Sequence, residues 1–196
     1  GGDFNCILDV SGRAYCWGAN DRGQLGRGEQ IDDPLLEFDP FESGRVWPVN
    51  TNERFQVLAA GREHVCGLSV DTGVWCWGDN RRGQTGLGMR GDEPQYEVEQ
   101  VPGVAEPALA LSAGGGHTVM IDWSLRDLAR TWGDNRWGQS GSGEREPQYT
   151  NIGQTVPLID GDRLRGLPLK VAAGERHSCA VGQGGDVVCW GNNDLY

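Results

Sequence analysis

The chain has 196 residues, a length typical of a single domain. Its formal net charge of −11 argues against a nucleic acid or an anionic membrane surface as the partner, because either would require a basic face. No apolar run approaches the length of a membrane span, and 37% hydrophobic residues with eight tryptophans are not the composition of a disordered chain. The residues after Gly1 do not form a secretory signal, so we expect a mature chain or an excised segment.

A tryptophan motif recurs along the chain. The pattern Trp-Gly-x-Asn-x-x-Gly-Gln-x-Gly-x-Gly begins at Trp17, Trp77 and Trp132, and a fourth copy opens at Trp190. The four tryptophans stand 60, 55 and 58 residues apart. A fixed period of this size indicates a repeat architecture, in which each unit packs against its neighbours.

Short strands are predicted before each motif. Residues 64–70 and 74–77 alternate as two strands, and 71–73 between them is typical of a hairpin turn. Residues 55–59 and 168–172 predict a preceding strand, and 47–49 an edge strand because it contains a proline. Each unit is therefore predicted to be an antiparallel sheet of three or four strands. Such sheets in tandem indicate an all-β fold, the blades of a β-propeller.

A second phrase, Ala-Gly-x-x-His, stands near the start of each unit, at 60–64, 113–117 and 173–177. In the first unit Gly1 aligns with Gly61 and Phe4 with His64, so the chain begins inside this phrase. We interpret residues 1–196 as a single repeat domain. Its units are approximately 1–58, 59–111, 112–171 and 172–196, of which the last is truncated.

The cysteines occur in pairs that are ten positions apart. Unit three lacks both members of its pair and has Val119 and Thr131 instead. Cysteines that are present or absent two at a time favour cross-strand disulfides over free thiols. Metal sites prefer cysteines that are two to four positions apart, so the spacing of ten also argues against a metal site. Persistent disulfides predict an extracellular, cell-surface or periplasmic location. The predicted disulfide cysteines are Cys6, Cys16, Cys66, Cys76, Cys179 and Cys189.

These phrases together resemble the repeats of the regulator of chromosome condensation 1 family, over nearly the whole chain apart from the connectors. The resemblance implies a propeller of seven four-stranded blades. Four units do not close such a ring, so we expect the rest of a longer chain, or another subunit, to complete it. The paired cysteines look like those of a bacterial or extracellular branch of the family.

The resemblance implies several possible functions. Nuclear members exchange nucleotide on a small GTPase and dock on nucleosomes, and a secreted bacterial relative inhibits β-lactamases. A plant relative senses ultraviolet-B light through the tryptophan of a Gly-Trp-Arg-His-Thr motif. This sequence has Arg62, Gly115 and Glu175 at that tryptophan position, so the photosensory role is not expected. Disulfides argue against the exchange factor, whose partner lies in a reducing compartment.

No catalytic, metal-binding or cofactor-binding motif is recognised, so neither an enzyme nor a cofactor is expected. His64, His117 and His177 share one repeat position, and we expect them to bond to the backbone within a blade. The motif tryptophans are expected to pack between blades with their indole N–H on a carbonyl. A carbohydrate-active or carbohydrate-binding domain is the alternative, through the connector acids Asp32, Asp33, Glu37, Asp39, Glu42, Asp92, Glu93, Glu97 and Glu99.

Function is expected where the units differ from one another. Aromatic residues on the loops of a rigid ring can anchor a protein partner, or they can pack locally to hold their own loops. The main hypothesis is a non-enzymatic extracellular module that binds a protein through the loops of one propeller face. The candidate binding residues are Phe38, Phe41, Trp47, Tyr96, Trp123, Trp137 and Tyr149.

Overall fold

The structure is a computed structural model that describes residues 1–28, 46–71, 73–88, 90–104, 108–122, 128–157 and 167–194. These residues form four antiparallel sheets and no helix. Blade 1 contains β1 (Phe4–Leu8), β2 (Ala14–Gly18) and β3 (Trp47–Pro48). Blade 2 contains β4 (Phe55–Ala60), β5 (His64–Ser69), β6 (Val74–Gly78) and β7 (Gln95–Gln100). Blade 3 contains β8 (Ala108–Ala113), β9 (His117–Asp122), β10 (Leu128–Asp134) and β11 (Tyr149–Pro157). Blade 4 contains β12 (Pro168–Ala173), β13 (His177–Gly182) and β14 (Val187–Gly191).

The sheets have the order of propeller blades, in which each strand pairs with the one before it in sequence. The first strands β4, β8 and β12 contact one another, so the sheets fan out from a common axis. The ring is not closed by these four blades, as the sequence predicted. One face of blade 1 and one face of blade 4 are consequently not covered by another described sheet.

The blades are offset from the sequence units. Each complete sheet begins with the strand that precedes the Ala-Gly-x-x-His phrase, at Phe55 in blade 2 and Ala108 in blade 3. Residues 55–58 therefore belong to blade 2, although the repeat pattern grouped them with unit one. The phrase itself forms the tight turn between the first two strands of a sheet.

A disulfide joins the two hairpin strands that precede the motif turn in three of the four blades. The pairs Cys6–Cys16, Cys66–Cys76 and Cys179–Cys189 face each other in register, with Cα atoms 4.0–4.2 Å apart. In blade 3 the same register places Val119 opposite Thr131. Thr131 Oγ1 donates a hydrogen bond to the Ser140 carbonyl, which is 2.8 Å away. The chain thus contains one blade that fills this position without sulfur.

The core lies between the sheets. The Cys66–Cys76 disulfide is fully buried and packs in one cluster with Leu111, Met120 and Trp132 of blade 3. A second cluster joins blades 1 and 2 and contains Phe4 and Val65. Since each of these clusters draws side chains from two neighbouring blades, no single blade buries its faces alone.

The motif tryptophan of each blade is fixed to the blade before it. Trp77 Nε1 donates to the Gln24 carbonyl (3.0 Å) and Trp132 Nε1 donates to the Gln84 carbonyl (2.9 Å). The predicted indole–carbonyl bond is present, and it crosses the interface. Gly86 lies beside this bond at φ +72°, and a Cβ atom there would come within 2.9 Å of Trp132 Nε1. Glycine is required at that position by both its backbone angle and the close indole.

The phrase histidines also cross the interface. His64 Nε2 lies 2.9 Å from Thr118 Oγ1, and His117 Nε2 lies 2.8 Å from Ser178 Oγ, in each case a hydroxyl of the following blade. The expected bond to backbone within a blade was therefore wrong. Thr118 donates its own proton to the Gln84 carbonyl (3.0 Å), so the hydroxyl accepts and His64 is the Nε2–H tautomer. His177 lies on the uncovered face of blade 4 and is exposed.

The buried histidines are held in the neutral form. The pKa of His64 is lowered to about 3, chiefly by burial and also by the nearby His117, against the opposing effect of Asp79. Burial likewise lowers the pKa of His117 to about 4, against the opposing effect of Asp134. Their folded-state pKa values lie below the unfolded value near 6.5, so they contribute stability above that pH and lose it as the pH falls.

The interface between blades 1 and 2 uses an apolar pair instead. Phe4 stands at the histidine position of blade 1, and Val65 stands at the hydroxyl position of blade 2. Both are buried in the same cluster, at 1% and 0% exposure. The two positions have therefore changed together, so that no polar group is left without its partner.

We expect the double substitution Cys66→Val, Cys76→Thr to be tolerated, because it copies the solution that blade 3 already uses. Losing the disulfide should lower the free energy of unfolding by about 2.5–3 kcal/mol. The double change to alanine at the same positions should cost at least about 1 kcal/mol more, because it also leaves a cavity. Urea unfolding under non-reducing conditions measures both. Free thiols in the native protein, titrated without reductant, would contradict the disulfides themselves.

The apolar pair can likewise be copied into the next interface as His64→Phe, Thr118→Val. Lowering the pH from 7 to 5 should reduce the free energy of unfolding of the wild type by about 2 kcal/mol through His64 alone. The reason is that the histidine takes up a proton in the unfolded state and stays neutral in the folded state. The double variant should lack this share of the pH dependence, whereas the share due to His117 remains. Urea unfolding at a series of pH values tests this. An unchanged pH slope would show that His64 is not held neutral.

Candidate functional site

The turns that follow the motif tryptophans share one end of the sheets. In blade 2, His64 at the start of β5 pairs with Gly78 at the end of β6, so the phrase turn and the motif turn lie at the same edge. The same register recurs in blades 1, 3 and 4. We name this edge the motif face, and the opposite edge, which carries the hairpin tips of the central strands, the hairpin face.

Each motif turn is held rigid from within. The side-chain oxygen of Asn80 accepts the backbone N–H of Thr85 (3.3 Å), and the side-chain oxygen of Gln84 accepts that of Arg82 (2.8 Å). Asn20, Gln24, Asn135 and Gln139 make the same bonds in blades 1 and 3. The asparagine and the glutamine of the motif thus each satisfy one backbone N–H of the turn. These bonds fix the residues at the tip of the turn, which point to solvent.

An aspartate–arginine pair follows in blades 2 and 3. Arg81 Nε lies 2.8 Å from Asp79 Oδ1, and Arg136 Nη2 lies 2.7 Å from Asp134 Oδ2. Burial alone would raise the pKa of both carboxyl groups, but the hydrogen bonds and charge of the arginines outweigh it and lower that pKa. Arg82 of blade 2 reaches Asp134 across the interface at 3.7 Å. Buried carboxylates therefore place the guanidinium groups of Arg81, Arg82 and Arg136.

Two of the predicted aromatic residues lie in this setting. The Arg176 guanidinium stacks over the Trp137 ring at 4.8 Å from its centroid, joining the phrase turn of blade 4 to the motif turn of blade 3. The Tyr149 ring is covered by Arg90 at 4.7 Å and lies 5.7 Å from Arg136. Trp137 and Tyr149 are both partly exposed. Together these five residues form a surface across blades 2, 3 and 4, which we name the arginine–aromatic strip.

The other candidate aromatics are placed elsewhere. Trp47 lies in the edge strand of blade 1 and stacks with Arg27 at 4.2 Å. Tyr96 is half-buried in β7, and its carbonyl accepts the N–H of Gly28 (3.2 Å). Each therefore contacts a residue at the start of the first connector, and the Tyr96 contact joins that point to blade 2. Phe38, Phe41 and Trp123 lie outside the described residues.

The structure describes four of the nine connector acids named for the carbohydrate alternative. Asp92, Glu93, Glu97 and Glu99 of the second connector are exposed, and Glu99 accepts a hydrogen bond from Gln95 (2.8 Å). The acids of the first connector, residues 32–42, are not described. Within the described ranges, no three histidine, cysteine, aspartate or glutamate side chains are grouped so as to hold a metal ion. Nor does that part of the chain contain a helix with the length and hydropathy needed to cross a bilayer.

Sequence reasoning found the aromatic half of the strip and missed the basic half. Arg81, Arg82 and Arg136 occupy the variable positions of the motif, where the repeat pattern carries no signal. Arg90 comes from a connector and Arg176 from a phrase turn, so only the fold brings them together. The available signal was the loss of repeat symmetry, which also identified Trp137 and Tyr149.

Two models of the regulator of chromosome condensation (RCC1) repeat match the sequence, one over residues 57–84 and 169–196 and the other over 11–68 and 71–121. The chain is 31% identical over 196 residues to the human probable E3 ubiquitin-protein ligase HERC6, covering 98% of this chain and 18% of that protein. It is 28% identical to the ultraviolet-B receptor UVR8 of Arabidopsis thaliana, covering 98% of this chain and 40% of that protein. The chain thus spans less than half the length of these relatives.

Solved structures agree on the fold. Human WBSCR16 superposes with a TM-score of 0.75 at 20% identity, over 96% of this chain and 45% of that one. Yeast RCC1 (Prp20), in its complex with Kap60, gives a TM-score of 0.65 at 21% identity, over 99% of this chain and 55% of that one. The repeated motif, the blade topology and these matches lead to one conclusion: the chain belongs to the regulator of chromosome condensation (RCC1) repeat family.

Proposed function

We propose that this chain is a non-enzymatic module that binds a protein partner through the motif face, outside the cytosol. The observation that carries the proposal is the arginine–aromatic strip. Tryptophan, tyrosine and arginine are the residues that dominate the binding energy of protein interfaces. Here Arg136 and Trp137 stand on a turn that its own hydrogen bonds fix, and Tyr149 begins a strand, so little conformational entropy of these residues is lost when a partner binds.

The disulfides support a location in an oxidising compartment, because cytosolic thiols are kept reduced. The same fold serves outside the cell in the ectodomain of the Arabidopsis thaliana receptor kinase ACR4, whose structure superposes with a TM-score of 0.51 at 24% identity over 96% of this chain. Disulfides also weigh against nucleotide exchange on a small GTPase, since such a partner lies in the reducing cytosol or nucleus.

Binding to protein accords with what is known of similar folds. Yeast RCC1 was crystallised bound to Kap60, and Prp20p of Saccharomyces cerevisiae was studied for its binding to Gsp1p and histones. The carbohydrate alternative has weaker support. A glycosidase acid needs surroundings that exclude water, and the described connector acids are exposed. We also propose that further sheets of the same repeat cover the open faces of blades 1 and 4, from a longer chain or another subunit.

The test is an unbiased displayed-peptide library, panned in parallel on the wild type and on two variants. Trp137→Ala, Tyr149→Ala removes the rings of the strip, and Trp47→Ala, Tyr96→Ala is the control with the same residue types elsewhere. Peptides that share a sequence pattern should be retained by the wild type and the control, and lost at least about tenfold by the strip variant. Circular dichroism should show that both variants fold.

The same proteins are applied to a glycan array. Selective glycan binding that the strip variant retains, with no strip-dependent peptide, would overturn the proposal in favour of the carbohydrate alternative. Peptides lost equally from both variants would place the binding surface elsewhere on the ring.

A further inference from the structure

The two arginines at the ends of the strip differ from Arg136 at its centre. Arg136 pairs with Asp134, as Arg81 of the preceding blade pairs with Asp79 and Glu63. By contrast, Arg90 and Arg176 are exposed, and neither forms an ion pair with any residue in the part of the chain that the structure describes. Arg90 instead stacks on the ring of Tyr149, and Arg176 stacks on the ring of Trp137.

Stacking on a ring leaves an arginine ready to bind an anion. The ring contacts the flat face of the guanidinium, whereas the N–H donors point outward in its plane. The stack also restricts the rotamers of a long side chain, so less entropy is lost when a ligand binds. Arg90 over Tyr149 and Arg176 over Trp137 are thus two prepared donors on one face.

The local charge of the strip is opposite to that of the chain. Arg82 and Arg136 share the carboxylate of Asp134, and Arg90 and Arg176 stack on the rings of Tyr149 and Trp137, whereas the chain as a whole carries −11. Glu175 next to Arg176 is itself 3.5 Å from Arg62. The strip is therefore a positive island on an acidic protein.

The donors are also of one chemical kind. Lys170 is the single lysine of the chain, so every basic residue of the island is an arginine. The guanidinium fork matches the two oxygens of a carboxylate, and it is more weakly hydrated than an ammonium group. Rings beside the forks can pack against apolar groups of the same ligand.

We propose that the strip binds an acidic segment of the protein partner, whose carboxylates pair with Arg90 and Arg176 while its neighbouring side chains pack on Trp137 and Tyr149. This inference rests on the proposed function and specifies the partner. A short acidic segment would contact only the positively charged strip. A long polyanion such as nucleic acid or a sulfated polysaccharide would extend over the surrounding acidic surface, where repulsion opposes it.

The probe is a fluorescein-labelled octaglutamate peptide with a tyrosine at its centre, and the matched octaglutamine peptide is the neutral comparison. Fluorescence anisotropy at about 0.15 M salt, where the screening length is about 8 Å, gives the Kd of each. The wild type should bind the acidic peptide at least about tenfold more tightly than the neutral one. Raising the salt concentration should weaken binding.

The variants separate local recognition from net charge. Arg90→Gln, Arg176→Gln should weaken binding of the acidic peptide at least about tenfold. The control Arg13→Gln, Arg54→Gln removes the same charge from two exposed arginines on the hairpin face, and should weaken it less than about twofold. Both variants keep the Asp79 and Asp134 pairs, so unfolding is not expected, and urea midpoints verify this.

Equal loss in both variants would overturn the inference, because binding would then follow net charge alone. Tighter binding of a heparin fragment or a short oligonucleotide of the same charge would overturn it in favour of a polyanion. If the library yields strip-dependent peptides that are neutral or apolar, the proposed function stands and the acidic partner is wrong. If no peptide depends on the strip, both proposals are wrong.

Discussion

The carbonyl oxygen of the motif glutamine is the point at which one sheet is fixed to the next. The Gln84 carbonyl accepts the indole N–H of Trp132 and the hydroxyl of Thr118, both from the following blade. Gln139 receives Trp190 and Ser178 in the same way. The side chain of each glutamine simultaneously holds its own turn. One residue therefore couples the shape of the motif face to the packing of the blades, so that the motif face is fixed by the ring.

This backbone anchor explains why the surrounding side chains can change in sets. Trp77 keeps its bond to the Gln24 carbonyl although the histidine and hydroxyl positions at that interface are Phe4 and Val65. An isolated change would leave a buried donor or acceptor without its partner, at a cost of about 1–3 kcal/mol, whereas a matched pair avoids that cost. The missing cysteines of blade 3 follow the same logic, since Thr131 finds a carbonyl of its own turn.

The sequence predicted features that repeat within a blade and the indole–carbonyl bond of the motif tryptophans, but it did not predict which neighbouring residue a buried side chain contacts. Strand order, hairpin register and the facing of Cys66 with Cys76 follow from local alternation and spacing. The partner of His64 does not, because Thr118 is 54 positions away and belongs to another repeat. Periodicity shows that a residue type is required at a position, but it does not show which residue of the neighbouring blade that side chain contacts. The arginines of the strip were missed for the same reason, since their rings lie on other turns or other blades.

A binding surface of this kind is consistent with the division of labour in the fold. The repeated residues lie in the interior, where His64, Gln84, Trp77 and Trp132 are almost fully buried. The two variable positions that follow the motif asparagine are at least partly exposed, on turns that the interior already holds in place. Arginine can change there without disturbing the ring, because Asp79 and Asp134 set its direction from below. Repeats with the same interior can therefore carry different surface charges and bind different partners. In this way one propeller fold can serve proteins of unlike function.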